Sequence, residues 1–463
     1  LSETLFDKLW REHRVHATSD GADLLAIDRL LLHERTGGVA LKSLAENGYR
    51  VKSPSRVFAV MDHIVSFRAG RGRDEARSPG GAAFITETRR MAGEAGIHLI
   101  DTDSPVQGIV HVVAPEQGIA LPGLSLLCPD SHTCSLGALG ALAWGIGSSE
   151  AEHVMATGVL RAQKPRQMRV RVNGTLPPGT TAKDLALHLI ATYGAGGGQR
   201  CAIEFCGSAV EALDIEARLT LCNMAVEFAA FTAVIAPDQK VFDYVQNRPF
   251  AAKAGADALA QWRELHSDPD AAFDHEIEIN GSSVQPQMSW GTSPEESGAL
   301  NACIPPTARK QALDYMGLRA GQTLTGLKIG GAFIGSCTNG RLSDLQAAAA
   351  ILKGRRVAPN VRAVCVPGSR LVRKQAEALG IDDVFKQAGF EWGEPGCAMC
   401  FYAGGETFAP KTRVVSSTNR NFEGRQGPGV RTHLSSPVVV AACAVAGEIC
   451  APSDLPVLEA ETV

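Results

Sequence analysis

Four sets of residues in this chain have types and spacings that could do chemistry. The first is sulfur. Cys337 sits in Gly-Ser-Cys-Thr-Asn-Gly after an apolar run, and Cys397 and Cys400 form a C-x-x-C inside Glu-Pro-Gly-Cys-Ala-Met-Cys. Gly/Pro turns free backbone N–H groups and permit close approach, so three thiolates on such turns suit a metal cluster. A redox pair or half a zinc site explains the C-x-x-C alone. The second set pairs acids with histidines. Asp62-His63 and Asp130-Ser131-His132-Thr133 each follow a predicted strand, with His111 between them. A carboxylate beside an imidazole fixes its tautomer and raises its basicity, as general acid–base work requires. Asp and Ser also favour turns and helix N-caps for purely structural reasons.

The third set is Asn223 and Glu227 in LCNMAVEFAAF. On a helix these share a face, i to i+4, within an apolar stretch. A buried Glu there needs a partner such as a histidine; exposure of both residues at a helix end is the plain alternative. The fourth is STNRNFEGRQG, residues 417–427, with Arg431 and His433 beyond. Guanidinium forks bind carboxylates two-pronged, so Arg420 and Arg425 among Asn, Ser and Gly suit a small polyacid better than a merely solvated loop would.

Positioning these groups falls to short apolar strands. VFAVMDH (57–63), GIHLID (96–101), GIVHVV (108–113) and LSLLC (124–128) read as buried strands ending in Gly, Pro, Asp or Ser, with helical stretches such as ETRRMAGEAG between them. LFDKLWREH opens the chain as an amphipathic helix. MRVRVNGTLPPG (168–179) reads as a hairpin or edge strand, and TAKDLALHLIATYG (181–194) as a helix. From Leu327 the alternation returns: LKIGGAFIG strand, SCTNG turn, RLSDLQAAAAILKG helix, then VRAVCVPGS and RLVRKQAEALG. The pattern predicts an α/β fold with largely parallel strands, divided near 165 and 315 into segments 1–165, 166–315 and 316–463.

Composition narrows the class. The 463 residues are 45% hydrophobic and 20% charged, with Lys plus Arg 45 against Asp plus Glu 49, a net charge of −4. That is the composition of a globular chain, and it lacks the basic excess of a dedicated nucleic-acid binder. No apolar run reaches the roughly 18 residues of a membrane span; PVVVAACAVAG (437–447) suits a buried helix. The opening residues resemble neither a signal nor a transit peptide, and the first is not Met, which suggests trimming. The 12 cysteines are scattered, and most lie in apolar stretches. They argue for small core residues and a reducing, cytoplasmic setting rather than a disulfide framework.

Taken in order, GSCTNG, the C-x-x-C, DSHT, NM-x-x-E and NRNFEGRQG resemble the aconitase superfamily, and within it the family of 3-isopropylmalate dehydratase large subunits. TLFDKLW, HE-x-T, MDH, QGIVHVV-x-PEQG, GIGSSEAEHV, W-G-T near 290 and RTHLSSP extend the resemblance over nearly the whole chain. The resemblance implies a three-domain α/β/α body around a [4Fe–4S] cluster held by Cys337, Cys397 and Cys400, with one iron left open as a Lewis acid. It implies that Asp62, His63, His111, Asp130, His132 and Glu227 form the acid–base network. Ser131, Asn223, Asn419, Arg420 and Arg425 then match residues beside the substrate and cluster. The reaction implied is dehydration and rehydration of a malate-like hydroxy acid, moving a hydroxyl between neighbouring carbons in leucine biosynthesis. The family's catalytic serine lies on a swivelling fourth domain, in a Gly-Ser-Ser-Arg-type turn that this chain lacks, so a separate small subunit is expected to supply it. Departures from the family pattern are Ile64 after MDH, SLGALG at 135–140 including Leu136, Pro129 before DSHT, Ala398 between the cysteines and Phe401-Tyr402 after them. They point to a rival substrate, another 2-alkylmalate-type acid such as citramalate, a homocitrate-like acid or a secondary-metabolite precursor. A cluster-free RNA binder and a zinc or thiol-redox protein are the alternatives of another class.

Overall fold

The computed structural model of the chain describes residues 2–251 and 256–457. In chain order the elements that matter here begin with α1 (Leu5–His13), β1 (Arg29–His33), β2 (Val57–Val60), β3 (His98–Ile100), α2 (Val110–Glu116), β4 (Ser125–Cys128), β5 (Leu142–Gly145) and β6 (Gln167–Asn173). They continue with α3 (Ala182–Tyr193), β7 (Ala202–Cys206), α4 (Ile215–Met224), β8 (Thr232–Val234) and β9 (His275–Asn280). The last group is β10 (Gly331–Ile334), α5 (Leu342–Leu352), β11 (Arg362–Cys365), β12 (Phe390–Trp392), β13 (Arg413–Ser416), β14 (Arg431–Leu434) and α6 (Pro437–Ala446). The chain divides into two compact units: unit 1 is 1–65, 72–176 and 196–283, and unit 2 is 66–71, 177–195 and 284–463.

Unit 1 holds two parallel sheets. In one the order is β3-β2-β1-β4-β5; in the other it is β8-β7-β6-β9. VFAV and SLLC are buried at every position, because strands covered on both faces read as apolar runs rather than alternations. α1 forms as expected. Thr4 accepts from the Asp7 N–H (2.9 Å) while Asp7 accepts from the Thr4 N–H (3.1 Å), and Leu5, Phe6, Leu9 and Trp10 are buried. Each such side chain contributes roughly 1.5–3 kcal/mol on leaving water.

Unit 2 holds a third parallel sheet, ordered β12-β11-β10-β13-β14, with α5 and α6 packed together. α6 is the buried helix expected at 437–447; seven of its residues are buried. α3 belongs to this unit. Thr181 and Asp184 cap it, and Asp184 also accepts from the Gln287 N–H (2.8 Å).

Two expectations fail. GIVHVV is not a strand: residues 110–116 form α2, and all seven are buried. A short apolar run buried on every side carries no period that separates helix from strand. MRVRV is not an edge or a hairpin arm; β6 lies inside its sheet, paired in parallel with β7 and β9. Its alternation of buried and half-exposed residues marks one covered face, which edge and interior strands share.

Candidate active site

In the first sheet of unit 1 the strand order reverses beside β1. Crevices at such reversals, beyond the carboxyl ends of the strands, are where α/β sheets place ligand-binding residues. β2 ends into Met61-Asp62-His63, and β4 ends into Pro129-Asp130-Ser131-His132. β1 itself ends at His33-Glu34.

Asp130 is the hub. Its Oδ1 accepts from the His132 backbone N–H (2.7 Å) and lies 3.5 Å from His132 Nδ1 and 3.7 Å from His111 Nδ1. Its Oδ2 is 3.2 Å from His63 Nε2. Each imidazole has a further partner on its other nitrogen. His63 Nδ1 meets Asp62 (2.5 Å), His132 Nε2 meets Glu227 (3.0 Å) and His111 Nε2 meets the Thr133 hydroxyl (3.3 Å). Asp62 also accepts from the Val110 N–H at the start of α2 (2.8 Å), which ties the β2 turn to the helix carrying His111.

Burial would push the Asp130 carboxyl up, but hydrogen bonds from His132 and His63 hold it well below the usual carboxylate range. Burial likewise works to raise Asp62, and His63 beside it holds it low. Burial pushes His111 down to about 4, leaving it neutral at physiological pH. The arrangement can hold protons on fixed imidazoles joined through one carboxylate.

Asn223 and Ser131 lie in the same unit. Asn223, on α4, is fully buried and donates to the Ser135 hydroxyl (2.9 Å); Ser131 is half-buried in the turn after Asp130. Glu227 lies past the end of α4, in a short 3-10 turn, and is buried against His132 as a partnered Glu should be.

Sequence reasoning gave no role to His33 and Glu34. Glu34 is fully buried and accepts the N–H groups of Asp62 (3.0 Å) and Ile64, thereby shaping the Asp62-His63 turn. Burial and the nearby Asp62 raise it to about 7. His33 stacks on His63 with centroids 3.8 Å apart and planes at 17°, and its Nε2 faces the Pro129 carbonyl (3.1 Å). Donor atoms of His33, Glu34, Asp62 and His63 all lie within 4.8 Å of one another, the spacing of a metal-ligand group. Stacked rings direct their in-plane lone pairs alongside each other instead of toward one point, and both carboxylates already accept N–H bonds. The group is therefore a hydrogen-bonded support for His63. Only the string HE-x-T could have flagged it.

The sulfur set belongs to unit 2 and occupies the strand ends of its own sheet. Cys337 follows β10, Cys397 and Cys400 follow β12, and Asn419 follows β13. The Asn419 side chain spans two of them: its Nδ2 is 3.4 Å from Cys337 Sγ, and its Oδ1 is 3.7 Å from Cys400 Sγ. The C-x-x-C turn is closed by the Cys400 N–H to the Cys397 carbonyl (3.0 Å). Ser336 (φ 101°) and Ala398 (φ 45°), each next to a cysteine, hold left-handed backbone that non-glycine residues seldom adopt. Cys337, Cys397 and Cys400 keep 8%, 8% and 6% exposure, whereas Cys128, Cys222, Cys365 and Cys443 are at 0%. The first three are buried but not sealed off; the others are core.

Arg425 runs back along the C-x-x-C turn. Its Nε donates to the Cys400 carbonyl (2.9 Å), its Nη2 lies 3.8 Å from Cys400 Sγ, and its guanidinium sits over Phe401 and Phe422. Arg420 is half-buried beside Asn419. Arg431 and His433 are structural. Arg431 Nε donates to the Tyr315 carbonyl (2.8 Å), and His433 accepts from Arg413 and faces the Ser289 carbonyl (2.6 Å), with burial pushing it down to about 3. Among the described residues no helix is long and apolar enough to cross a membrane.

Residues 7–447 match the profile of the aconitase family (aconitate hydratase). The chain is 48% identical over 458 residues to 3-isopropylmalate dehydratase large subunit 1 of Bradyrhizobium diazoefficiens, covering 96% of this chain and 95% of that one. It is 44% identical over 452 residues to the 3-isopropylmalate dehydratase large subunit of Staphylococcus epidermidis, covering 97% and 98%. Among solved structures it is similar to aconitase X of Thermococcus kodakaraensis in its holo form, with a TM-score of 0.46, 14% identity and 88% of each chain covered.

Proposed function

This chain belongs to the aconitase family, alongside 3-isopropylmalate dehydratase large subunits, and on that premise we propose that it is the iron–sulfur subunit of a hydro-lyase interconverting 2-isopropylmalate and 3-isopropylmalate in leucine biosynthesis. The observation that carries the reading is Asp130, one carboxylate within reach of three imidazoles that are each fixed from the other side. Hydroxide is a poor leaving group, and its departure and return call for a proton source and sink in fixed positions.

Cys337, Cys397 and Cys400 fit an iron–sulfur group: they are soft donors on loops, two of them spanned by one amide. When bound, a [4Fe–4S] cluster with three cysteine ligands supplies a Lewis acid at its open iron. The remaining chemistry belongs to the chain. His132, between Asp130 and Glu227, and His63, between Asp62 and Asp130, can each hold a proton on either ring nitrogen. Glu34 and His33 keep His63 in place. Asn223 and Ser131 are assigned to substrate binding with Asn419, Arg420 and Arg425. The three-part division 1–165, 166–315 and 316–463 is part of the proposal, supported by one parallel sheet in each segment. A small subunit carrying the swivelling domain and its serine, and a reducing cytoplasmic setting, complete it.

A second reading keeps the chemistry and changes the acid. Arg425 is engaged by the Cys400 carbonyl and two phenylalanines, one of them the unusual Phe401. That favours a paralogue acting on another 2-alkylmalate-type acid. Anaerobic reconstitution with iron and sulfide, addition of the small subunit and an assay of 2-isopropylmalate against citramalate and homocitrate-like acids test both. A brown protein active on 2-isopropylmalate is expected; full activity in a colourless, iron-free preparation would sink the proposal.

A further inference from the structure

Lys183 lies on α3, inside unit 2, and is 0% exposed. Burying an ammonium is costly unless its protons are taken up, and an apolar residue of like volume is often as stable. α3 needs no charge for anchorage, since Leu185, Leu187, Leu189 and Ile190 are buried on it already. The lysine is better understood through what it holds. Its Nζ donates to the carbonyl oxygens of Ser417 (3.0 Å) and Thr418, the two residues that carry the chain out of β13. Ser417 is tied in turn to the cysteine loop: its hydroxyl accepts the Gly335 N–H (3.1 Å), and its own N–H donates to the Phe333 carbonyl (3.0 Å). The next residue is Asn419, whose amide spans Cys337 and Cys400.

We propose that Lys183 is a positioning residue for the iron–sulfur group, clamping the 417–418 backbone so that the Asn419 amide stands between the sulfurs of Cys337 and Cys400. The inference rests on the cysteine reading above. It concerns retention of the group and not the chemical step. Residues that orient a metal's ligands through hydrogen bonds commonly govern affinity by about 10–100-fold. A lysine confined to anchoring α3 would act only through the stability of the fold.

The test uses the full chain, reconstituted anaerobically with ferrous iron and sulfide. Lys183→Met removes the clamp; Leu187→Ala on the same helix removes packing and leaves the clamp intact. Iron and sulfide content, the electron paramagnetic resonance signal after mild oxidation, and the rate of bleaching in air are read together with the unfolding temperature of each apo-protein. Lys183→Met is expected to bleach about tenfold faster than the parent, with a changed resonance line shape. Leu187→Ala should bleach near the parent rate even where its unfolding temperature falls as far. Equal bleaching of the two variants, or parental retention by Lys183→Met, overturns the proposal. A parent chain that takes up no iron–sulfur group overturns the cysteine reading and this inference with it.

Discussion

The first sheet of unit 1 and the sheet of unit 2 thread their strands identically: third, second, first, fourth, fifth. Both put their reactive side chains on loops leaving strand ends around the same reversal, yet the chemistry differs. In unit 1 charges answer charges. Every imidazole of the set has a protein partner on each ring nitrogen, and the Asp62 and Asp130 carboxylates are held low by those partners. In unit 2 the Asn419 amide lies 3.4 Å from Cys337 Sγ and 3.7 Å from Cys400 Sγ, and the Arg425 guanidinium lies 3.8 Å from Cys400 Sγ, on loops with left-handed backbone at Ser336 and Ala398. Such angles cost of order 1–3 kcal/mol each. The same strand order thus carries loops closed by mutual hydrogen bonds in unit 1 and cysteine loops with left-handed backbone in unit 2, and the proposed split between proton handling and soft-ligand binding rests on that difference.

Deleting a thiol should break that contrast most severely. Cys397→Ser is expected to bring bound iron to background and abolish activity, measured by iron analysis and visible absorbance, while unit 1 keeps its fold. Next in size, His132→Asn and Glu227→Gln should each lower kcat by about 10²–10⁴ with iron content unchanged. Iron loss in either would show that the two sets are not chemically separate.

Acid gives a smaller effect with a defined sign. His33 and His111 sit at about 4 in the fold because burial disfavours their charge. Below about 6.5 the unfolded chain binds protons that the fold refuses, so stability is full above that pH and falls toward pH 4, by up to about 3 kcal/mol for each of the two. Glu34→Gln sharpens the comparison further. Burial raises Glu34 from 4.5 to about 7, so its contribution is complete below about 4.5 and lost as pH rises through 7. Denaturant titrations from pH 5 to 8 should show the parent losing on the order of 1–3 kcal/mol relative to the variant.

Much of this was legible in the residues. Asp62, His63, Asp130 and His132 stood at strand ends, where turn chemistry makes motifs visible, and the cysteines stood in Gly/Pro turns. Glu34 was not legible, because the N–H groups it accepts belong to residues 28 and 30 positions away. The helix at 110–116 was hidden by uniform burial, which leaves no period to read. Lys183 looked like an ordinary charge on a helix. What it holds lies more than 230 residues downstream, a distance no local pattern reports.

The backbone crosses from one unit to the other five times, at 65/66, 71/72, 176/177, 195/196 and 283/284. Synthesis therefore delivers α3, with its greasy leucines, long before any strand of the unit that will receive it exists. A nascent chain that has finished unit 1 must shelter that orphan helix, and a fragment ending at residue 283 would carry it permanently unshielded. Attempts to produce residues 1–283 alone should end in insoluble material.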